Sequence, residues 1–530
     1  MLFTSYDFIG FLLIVFILYY TFLKKWQWQL LLIASYLFYY FSGPKNLIFI
    51  VITTITTYFA AQKIDAYHEK QKAYLKQNKS QMSKEDRKNY KASIKAIQKK
   101  WMLGCLLLNL GILAVLKYTN FAISNVNFFL NVLGSDKQIS SIEILLPMGI
   151  SFYTFMAVGY LVDVYRGKYP AKQGIFQFAL FISFFPQVVQ GPISRFDDVS
   201  DTMWKPHAFE WTNISFGLQR ILWGYFKKIV IADRILIAVN TIIRAPETYD
   251  GIYVLIGMLF YALELYADFT GGIDITIGIA QVFGIPLKEN FIRPYFSKNI
   301  AEYWRRWHIT MGTWFTDYIF YPISVCEPML KFNKFARKYF GEHIGKRMPV
   351  YTASATVWFA TGIWHGAAWN FIVWGIMNFV VLMISQELEP FYRWFHGKFH
   401  VKDKWGFKIF QIIRTILLMS SLRMFDCYRD VPLTFRMFGN MLTNSRISQL
   451  FDGRFQTLGL SGADYLILFV GLCLLIFVSL LGERGSVRKK IAMQPSLIRF
   501  GCWYLLFLVT LIFGAYGIGF DSSQFIYNQF

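Results

Sequence analysis

Long apolar runs recur along the whole chain, and short polar or basic segments separate them. They lie at 8–22, 30–41, 47–61, 101–121, 145–164, 178–196, 214–243, 252–283, 351–385, 407–424, 465–481 and 503–518. Because a helix needs about 20 apolar residues to cross the hydrocarbon core, the pattern predicts an all-α polytopic membrane protein with about 11–13 transmembrane or re-entrant helices.

The run at 178–196 differs from the others because Pro186 and Pro192 interrupt it. A proline inside a span removes a backbone donor and breaks or kinks the helix. At membrane depth such a break is tolerated only where the backbone is buried in protein or lines a cavity. The run predicts either a re-entrant element beside a site, with Gln190 as a candidate tunnel residue, or an ordinary kinked span.

Composition supports the membrane assignment. The chain is 55% hydrophobic and only 16% charged, which excludes a soluble multidomain protein. Its formal charge of +22 could suggest nucleic acid, but the basic residues stand mostly between apolar runs. The positive-inside rule expects that distribution on the cytoplasmic side. We therefore predict a multi-pass protein of the cell (cytoplasmic) membrane with no nucleic acid partner.

The segment 63–100 carries twelve Lys or Arg against four Asp or Glu. We predict that it is cytoplasmic and forms a helical hairpin held at an anionic leaflet. Three runs precede it, so the N-terminus is predicted to be extracytoplasmic. The chain is thus predicted to be one membrane domain, 1–530, with N-terminal helices (1–61), a basic cytoplasmic insert (62–100), core helices (101–385) and C-terminal helices (386–530).

One histidine stands out in the run 351–385, which contains no Asp, Glu, Lys or Arg and is predicted to form a single span. His365 is its one titratable group, and Gly362 and Gly366 flank it at a spacing that lets another backbone approach. An imidazole within a membrane has either a functional role or a hydrogen bond to a neighbouring carbonyl. The segment alone leaves both possibilities open.

A second histidine lies in the segment 289–322. Read as one helix from Ile300, the segment would place His308 on an apolar stripe and turn Arg305 and Arg306 away from it. The stripe is formed by Trp304, Trp307, His308, Met311 and Phe315. A packing or interfacial role for His308 is the simple alternative to a catalytic one.

Three carboxyl groups, Glu264, Asp268 and Asp274, lie in the otherwise apolar run 252–283. Buried carboxyls are costly unless they have partners. They could bind a substrate or cation or relay protons, or they could form ion pairs with the arginines of 289–322.

The two histidines indicate acyl transfer as a chemistry, because a neutral imidazole can take a proton from a hydroxyl while that oxygen attacks an activated acyl carbonyl. The sequence contains no G-x-S-x-G, P-loop or H-E-x-x-H motif, and its five cysteines form no C-x-x-C pair. These absences argue against a nucleophile elbow, a P-loop nucleotide site and a zinc site, so we predict no metal.

Several of these segments resemble the signature blocks of the membrane-bound O-acyltransferase family, particularly its bacterial branch acting on alginate and other exported glycans. The most specific are ENFIRPYF, EYWRRWHITMGTWFTDYIFYP and TGIWHGAAWNFIVWG. Agreement continues in FFPQVVQGPISRF, YADFTGGIDITIGIAQVFGIPLKENF and the ending YGIGFDSSQFIYNQF. The resemblance covers nearly the whole chain.

The resemblance implies helices around a central funnel or tunnel, with His365 as the catalytic base and His308 as a second catalytic histidine. Candidate substrate-binding or tunnel residues are Trp304, Arg305, Trp307, Asp317, Trp364, Asn370, Asp268, Asp274 and Gln190. No bound cofactor is expected.

The implied donor is acetyl-CoA or another acyl thioester, including one on an acyl carrier. The implied acceptor is a glycan or a secreted SGNH-type O-acetyltransferase that modifies a polysaccharide. The alternatives are D-alanyl transfer to teichoic acid and, using the carboxyls of 252–283, transport of a lipid-linked saccharide. Whether the acyl group passes directly or through an acyl-histidine stays open.

Overall fold

The computed structural model describes residues 3–516, with all their side chains except that of residue 343. Regular structure in this range is entirely helical, as predicted. The final block of the family resemblance lies, from residue 517 onward, outside the described residues. Within residues 3–516, six helices are long and apolar enough to cross a membrane, namely Pro44–Gln77, Lys84–Val132, Ile252–Val282, Trp369–Glu387, Gly462–Glu483 and Ser496–Phe513. This number is smaller than the predicted 11–13 elements because the prediction also included shorter and re-entrant helices.

Two compact units make up the chain. The N-terminal unit comprises residues 5–210 and 283–287. Its helices are α1 Tyr6–Tyr20, α2 Gln27–Phe41, α3 Leu47–Gln77, α4 Lys84–Val132, α5 Ile150–Arg166, α6 Ile175–Ser183, α7 Phe185–Val188 and α8 Phe196–Met203.

Among the described residues, the C-terminal unit comprises residues 211–282 and 288–516, together with residues 3 and 4. Its helices are α9 Trp211–Tyr225, α10 Asp233–Arg244, α11 Ile252–Val282, α12 Ile300–Arg306, α13 Ile309–Phe315, α14 Tyr321–Val325, α15 Glu327–His365, α16 Trp369–Glu387, α17 Glu389–Phe399, α18 Trp405–Tyr428, α19 Val431–Thr443, α20 Gly462–Glu483, α21 Val487–Ala492 and α22 Ser496–Phe513. Two π-helical turns occur as well, at Phe226–Ala232 and Thr316–Phe320.

The basic insert of the N-terminal unit is the predicted helical hairpin. Helix α3 continues without a break past the end of its apolar run to Gln77, and α4 begins after Ser83, whose hydroxyl accepts the Asp86 N–H at 3.0 Å. Hydrogen bonds from Ser83 also hold the pKa of Asp86 below its usual value. Gln98 donates to the Ile64 carbonyl at 3.0 Å, so the two arms contact each other. The hairpin is therefore an extension of two spanning helices.

The predicted break in 178–196 is confirmed. Helix α6 ends at Ser183, α7 ends at Val188, and the chain then runs irregularly to α8. Every residue from 178 to 194 is buried, as an interrupted backbone in a membrane protein requires. Gly149, in the left-handed region with φ +69°, lies so close to the Val188 carbonyl that any side chain would clash.

In the C-terminal unit, α9 and α11 approach closely through small residues. A side chain at Gly217 would clash with the Gly278 carbonyl, and one at Gly224 with the Gly271 carbonyl. Such small-residue contacts let two membrane helices pack backbone to backbone. The π-helical turn that follows α9 then directs two successive lysines into the protein, where both are buried.

The predicted single span at 351–385 is wrong, because the chain reverses within it. Helix α15 ends at His365, the backbone is extended at Gly366, and α16 begins three residues later. Gly362 touches the Phe371 carbonyl and Gly375 touches the Trp358 carbonyl, so α15 and α16 form a tightly packed hairpin. Each arm buries the apolar face of the other, which an uncharged sequence permits as readily as a single crossing.

The predicted continuous helix from Ile300 is also wrong. Helix α12 ends at Arg306 and α13 begins at Ile309. Trp307 between them is extended, while His308 adopts the left-handed region. The apolar stripe is therefore not one helix face, although its residues remain neighbours in the chain.

Candidate active site

His308 lies in the break between α12 and α13, with φ 47° and ψ 51°. This conformation is uncommon for a residue with a side chain and costs of the order of 1 kcal/mol or more. Two backbone bonds of 2.9 Å hold it, from Ile309 N–H to the Asn290 carbonyl and from Ile292 N–H to the Arg306 carbonyl. The break thus presents an imidazole that is only 1% exposed.

Asn290 fixes the chemical state of that imidazole. Its Oδ1 accepts from the backbone N–H and the hydroxyl of Thr310, both at 3.0 Å, so this atom is the amide oxygen. The same oxygen lies 3.3 Å from His308 Nδ1, which must therefore carry the hydrogen. In the neutral ring, the lone pair is then on Nε2, the nitrogen that can accept a proton.

His365 is the last residue of α15 and is 8% exposed. Its ring packs edge to face against Trp374, with 4.7 Å between centroids, and against Trp364 at 5.0 Å. Phe371 lies nearly parallel at 6.4 Å. Because His365 ends the helix, its side chain lies at the turn of the α15–α16 hairpin rather than midway along a span.

Trp364 brings the two histidines together. Its indole lies 5.9 Å from the His308 ring and 5.0 Å from the His365 ring, centroid to centroid. Residues 57 positions apart in the sequence therefore contact the same side chain. This is the central geometric fact of the candidate site.

Further tryptophans form a wall beside the histidines. Trp304 lies 4.8 Å from Trp358 and 5.9 Å from Trp374, again between ring centroids. Trp307 is 3% exposed and stacks on Tyr303 at 5.5 Å. The second predicted catalytic histidine and three of the candidate substrate-binding or tunnel residues thus lie in the same region of the C-terminal unit as His365: His308, Trp304, Trp307 and Trp364.

Two of the three carboxyls of α11 are in ion pairs, but not with the arginines of 289–322. Asp274 contacts Lys227 at 2.7 Å and Arg220 at 2.8 Å, and Asp268 contacts Lys228 at 2.6 Å. All three cations come from α9 and the π-helical turn after it. That turn departs from the 3.6-residue period, so the pattern of apolar positions did not indicate that Lys227 and Lys228 face inward.

Glu264 is the third carboxyl of α11 and is 3% exposed. Its Oε2 has no hydrogen-bond partner among the described residues. The ion pairs of Asp268 and Asp274 give both groups a structural role. Glu264, in contrast, keeps one carboxyl oxygen that can accept a hydrogen bond from a ligand.

The remaining candidates are dispersed. Arg305 is exposed on α12, and Asp317 is half-buried in the second π-helical turn. Asn370 donates to the Phe425 carbonyl at 3.1 Å and so ties α16 to α18. Gln190 is fully buried in the N-terminal unit, where neither its amide oxygen nor its nitrogen has a partner among the described residues. Their substrate-binding roles stay predictions.

Sequence reasoning missed two residues. Asn290 stands in the segment 289–322, ahead of the helix predicted from Ile300, and Arg423 lies in the apolar run 407–424, which predicts a plain span. A buried arginine inside an apolar run is the signal that could have identified the second. Within the described residues, no group of three or more His, Cys, Asp or Glu side chains is placed to hold a metal ion.

Chemically, the site offers two imidazoles in largely apolar surroundings. One has a defined proton-accepting nitrogen, and both contact one indole. Such an arrangement suits the removal of a proton from a hydroxyl and its return to a leaving group, which is the proton traffic of acyl transfer.

Comparison with known proteins agrees with this chemistry. A model of the membrane-bound O-acyltransferase (MBOAT) family matches residues 73–427, a range that contains both histidines. A "Probable alginate O-acetylase AlgI" of Pseudomonas syringae pv. tomato is 31% identical over 73% of this chain and 67% of its own length. A "Peptidoglycan O-acetyltransferase" of Helicobacter pylori is 28% identical over 69% of this chain and 66% of its own.

A more partial match is a "Teichoic acid D-alanyltransferase" of Bacillus subtilis, which is 30% identical over 47% of this chain and 61% of its own length. The family match covers well over half of the chain, and the resemblance noted in the sequence is confirmed. This multi-pass membrane protein belongs to the membrane-bound O-acyltransferase family.

Proposed function

We propose that this O-acyltransferase moves an acetyl group from a cytoplasmic thioester, in the simplest case acetyl-CoA, for O-acetylation of an exported or cell-wall polysaccharide. The observation that carries the proposal is the contact of His308 and His365 with one indole, Trp364. The relatives named as acetylases of alginate and peptidoglycan support the acetyl group and the polysaccharide.

In the proposed mechanism, His365 is the general base. It takes the proton of an acceptor hydroxyl as that oxygen attacks the thioester carbonyl carbon. The carbon–sulfur bond then breaks, and the imidazolium returns the proton to the thiolate. Products are an O-acetyl ester and a free thiol, so atoms and charge balance without a further reactant.

His308 assists in proton transfer through Nε2, because Asn290 keeps its hydrogen on Nδ1. In this tautomer the ring can accept a hydrogen bond or a proton from the acceptor hydroxyl. It cannot donate from Nε2 to the thioester carbonyl until it has been protonated. The geometry therefore supports a proton-transfer role for His308 over one as a carbonyl-polarising donor.

The donor is proposed to arrive on the side of the basic hairpin, where positive potential favours the phosphates of CoA or the acidic surface of an acyl carrier. In this proposal 62–100 is cytoplasmic and the N-terminus is extracytoplasmic. The acceptor is proposed to be the hydroxyl of a secreted SGNH-type O-acetyltransferase, which then modifies the glycan, or a hydroxyl of the glycan itself.

The test uses purified protein in liposomes with acetyl-labelled CoA and a soluble hydroxyl acceptor. We expect labelled ester with the wild type and at least a 100-fold loss in His365→Ala. The matched control is His396→Ala, because this histidine lies on α17, packed against Phe407 and away from the tryptophan wall. Unchanged turnover in folded His365→Ala would eliminate the proposed mechanism.

Two further arms separate the alternatives. Label offered as D-alanyl thioester on a carrier protein should give no ester if the acetyl assignment is right. If transfer is direct, mixing the protein with acetyl-CoA in the absence of acceptor should release no burst of free CoA thiol, whereas an acyl-histidine would release one thiol per active site as it forms. The ion pairs of Asp268 and Asp274 argue against these two carboxylates as coupling groups for saccharide transport, which leaves Glu264 as the group that this alternative would use.

A further inference from the structure

Arg423, on α18, is a buried cation surrounded by tryptophans. It is 5% exposed, and its guanidinium carbon lies 5.0 Å from the Trp374 ring centroid, 5.1 Å from Trp307 and 5.8 Å from Trp304. All three distances are within the range of cation–π attraction, which strengthens where water is excluded. One guanidinium therefore contacts three indoles at once.

Two of these indoles belong to the immediate surroundings of the histidines. Trp307 directly precedes His308 and is the extended residue at the break between α12 and α13. Trp374 packs edge to face on the His365 ring at 4.7 Å. Arg423 thus contacts the neighbour of each histidine from a third helix.

Hydrogen bonding does not orient two of these tryptophans. The indole N–H groups of Trp304 and Trp374 are buried and have no hydrogen-bond partner among the described residues. Their ring planes are therefore set by packing against other rings and against the guanidinium. The flat shape of that group matters, because it can lie against several aromatic faces in a way that an ammonium cannot.

The charge of Arg423 is only loosely compensated. Its carboxylate partner is Asp426, one turn along α18, with 3.9 Å between Nη1 and Oδ2 and both side chains nearly inaccessible. An ion pair this long is weak in direct hydrogen bonding. The guanidinium also forms a hydrogen bond with the Tyr303 side chain, and the three tryptophan faces add cation–π attraction to these two contacts.

We propose that Arg423 is a positioning residue for acyl transfer, acting through Trp307 and Trp374 to hold His308 and His365 in their reactive arrangement. The inference rests on the proposed function of the two histidines. Arg423 itself touches no reacting atom in this scheme. Its loss should therefore disturb the chemical step and leave substrate binding nearly intact.

The experiment compares Arg423→Met and Arg423→Lys in the liposome assay, with kcat and KM measured for acetyl-CoA and for the acceptor. We expect kcat to fall about 100-fold in the methionine variant, since positioning errors of this kind reach that size. The lysine variant keeps the positive charge but lacks the planar guanidinium, so its kcat should fall about 10-fold. KM should stay within about threefold in both.

The matched control is Arg234→Met. Arg234 is equally buried at 4% exposure, but it pairs with Asp464 and the Phe513 carbonyl instead of the tryptophan wall. Its loss should lower the melting temperature without lowering kcat per folded molecule. Folded fraction is measured for every variant by thermal unfolding and size-exclusion chromatography.

Three results would overturn the inference: an unchanged kcat in folded Arg423→Lys and Arg423→Met, a rise in KM at constant kcat, or a loss of folded protein that explains the whole effect in both variants. His365→Ala is assayed in parallel. Activity that survives in His365→Ala removes the proposed function, whereas loss there with full activity in the Arg423 variants removes only the role of Arg423.

Discussion

Asn290 and His308 form the contact that defines the proton-accepting nitrogen of the site, with 3.3 Å between the amide oxygen and Nδ1. The two residues are 18 positions apart, and the same oxygen also holds Thr310. A single acceptor thus sets both the backbone after His308 and the tautomer of its ring. This relationship leads to the first prediction.

Asn290→Ala removes the acceptor from His308 Nδ1 and from both donors of Thr310. Because buried donors left without partners cost about 1–3 kcal/mol each, we expect a clear fall in unfolding free energy. We also expect kcat per folded molecule to fall about 100-fold, a typical contribution of a positioned proton-transfer group. Steady-state kinetics and thermal unfolding in detergent measure the two effects.

Thr310→Val is the control for that variant. It deletes one hydroxyl bond to the same amide oxygen but leaves the bond to His308 intact. We expect a loss of about 1 kcal/mol in stability and nearly unchanged kcat. If kcat fell equally in Asn290→Ala and Thr310→Val, the tautomer of His308 would not be the cause of the loss.

The second prediction concerns the α15–α16 hairpin. A side chain at Gly375 would overlap the Trp358 carbonyl, which is backbone and cannot swing away. We therefore expect Gly375→Ala to lower the melting temperature and to abolish turnover by displacing His365. Thermal unfolding and the liposome assay measure both effects.

Gly439→Ala is the matched control, since nothing lies within 4 Å of the added atom on α19. Replacing this glycine should stabilise the helix by about 0.5–1 kcal/mol and leave activity unchanged. The interpretation of the hairpin fails if Gly375→Ala behaves like Gly439→Ala.

A third prediction tests the carboxyls of α11. Asp268→Asn removes one of the two carboxylates that bind Lys228, the other being Asp233 at 2.7 Å. We expect a loss of about 1.5–3 kcal/mol in stability, the usual contribution of a buried hydrogen bond to a charged group. Acetyl transfer per folded molecule should change less than threefold.

The comparison variant is Glu69→Gln, which breaks the exposed pair with Lys72. Surface pairs contribute about 0–1 kcal/mol, so its stability should hardly change. Saccharide flux lost in folded Asp268→Asn, without any acyl product in the wild type, would instead support a transporter.

The fourth prediction concerns topology. Lys79 lies at the tip of the basic hairpin and Lys137 lies just beyond the other end of α4, and both are exposed. In a cysteine-free background, Lys79→Cys should react with an impermeant maleimide from the cytoplasmic side only. Lys137→Cys should react from the outside only. Labelling of both from one side would contradict the proposed orientation.

Much of the helical framework follows from the sequence because it depends on local patterns. Apolar run length predicts spans such as α11, the prolines predict the break after Ser183, and charge predicts the hairpin at 62–100. These features are set by residues close together in the chain. Interactions between residues close together in the chain can therefore be predicted without a structure.

What the sequence did not reveal depends on distant contacts. An uncharged run has the same apolar pattern whether it crosses the membrane once or reverses at Gly366. The reversal is revealed only by the packing of Gly362 on Phe371. The conformation of His308 is imposed by hydrogen bonds from residues 290–292. The surroundings of Arg423 could not be predicted either, because Trp304 on α12 and Trp374 on α16 reach it only in the folded chain.

The uninterrupted course of α3 and α4 has a consequence for how substrates approach. Sixteen residues of α3 follow the apolar run, and at 1.5 Å per residue the arm extends about 24 Å along its axis. Electrostatic screening at physiological salt acts over about 8 Å, which is much shorter than this arm, so the lysines near its tip act on different surroundings from those next to the apolar run. The hairpin is thus a positively charged arm, and it attracts a dissolved polyanion that comes within this screening distance of its tip.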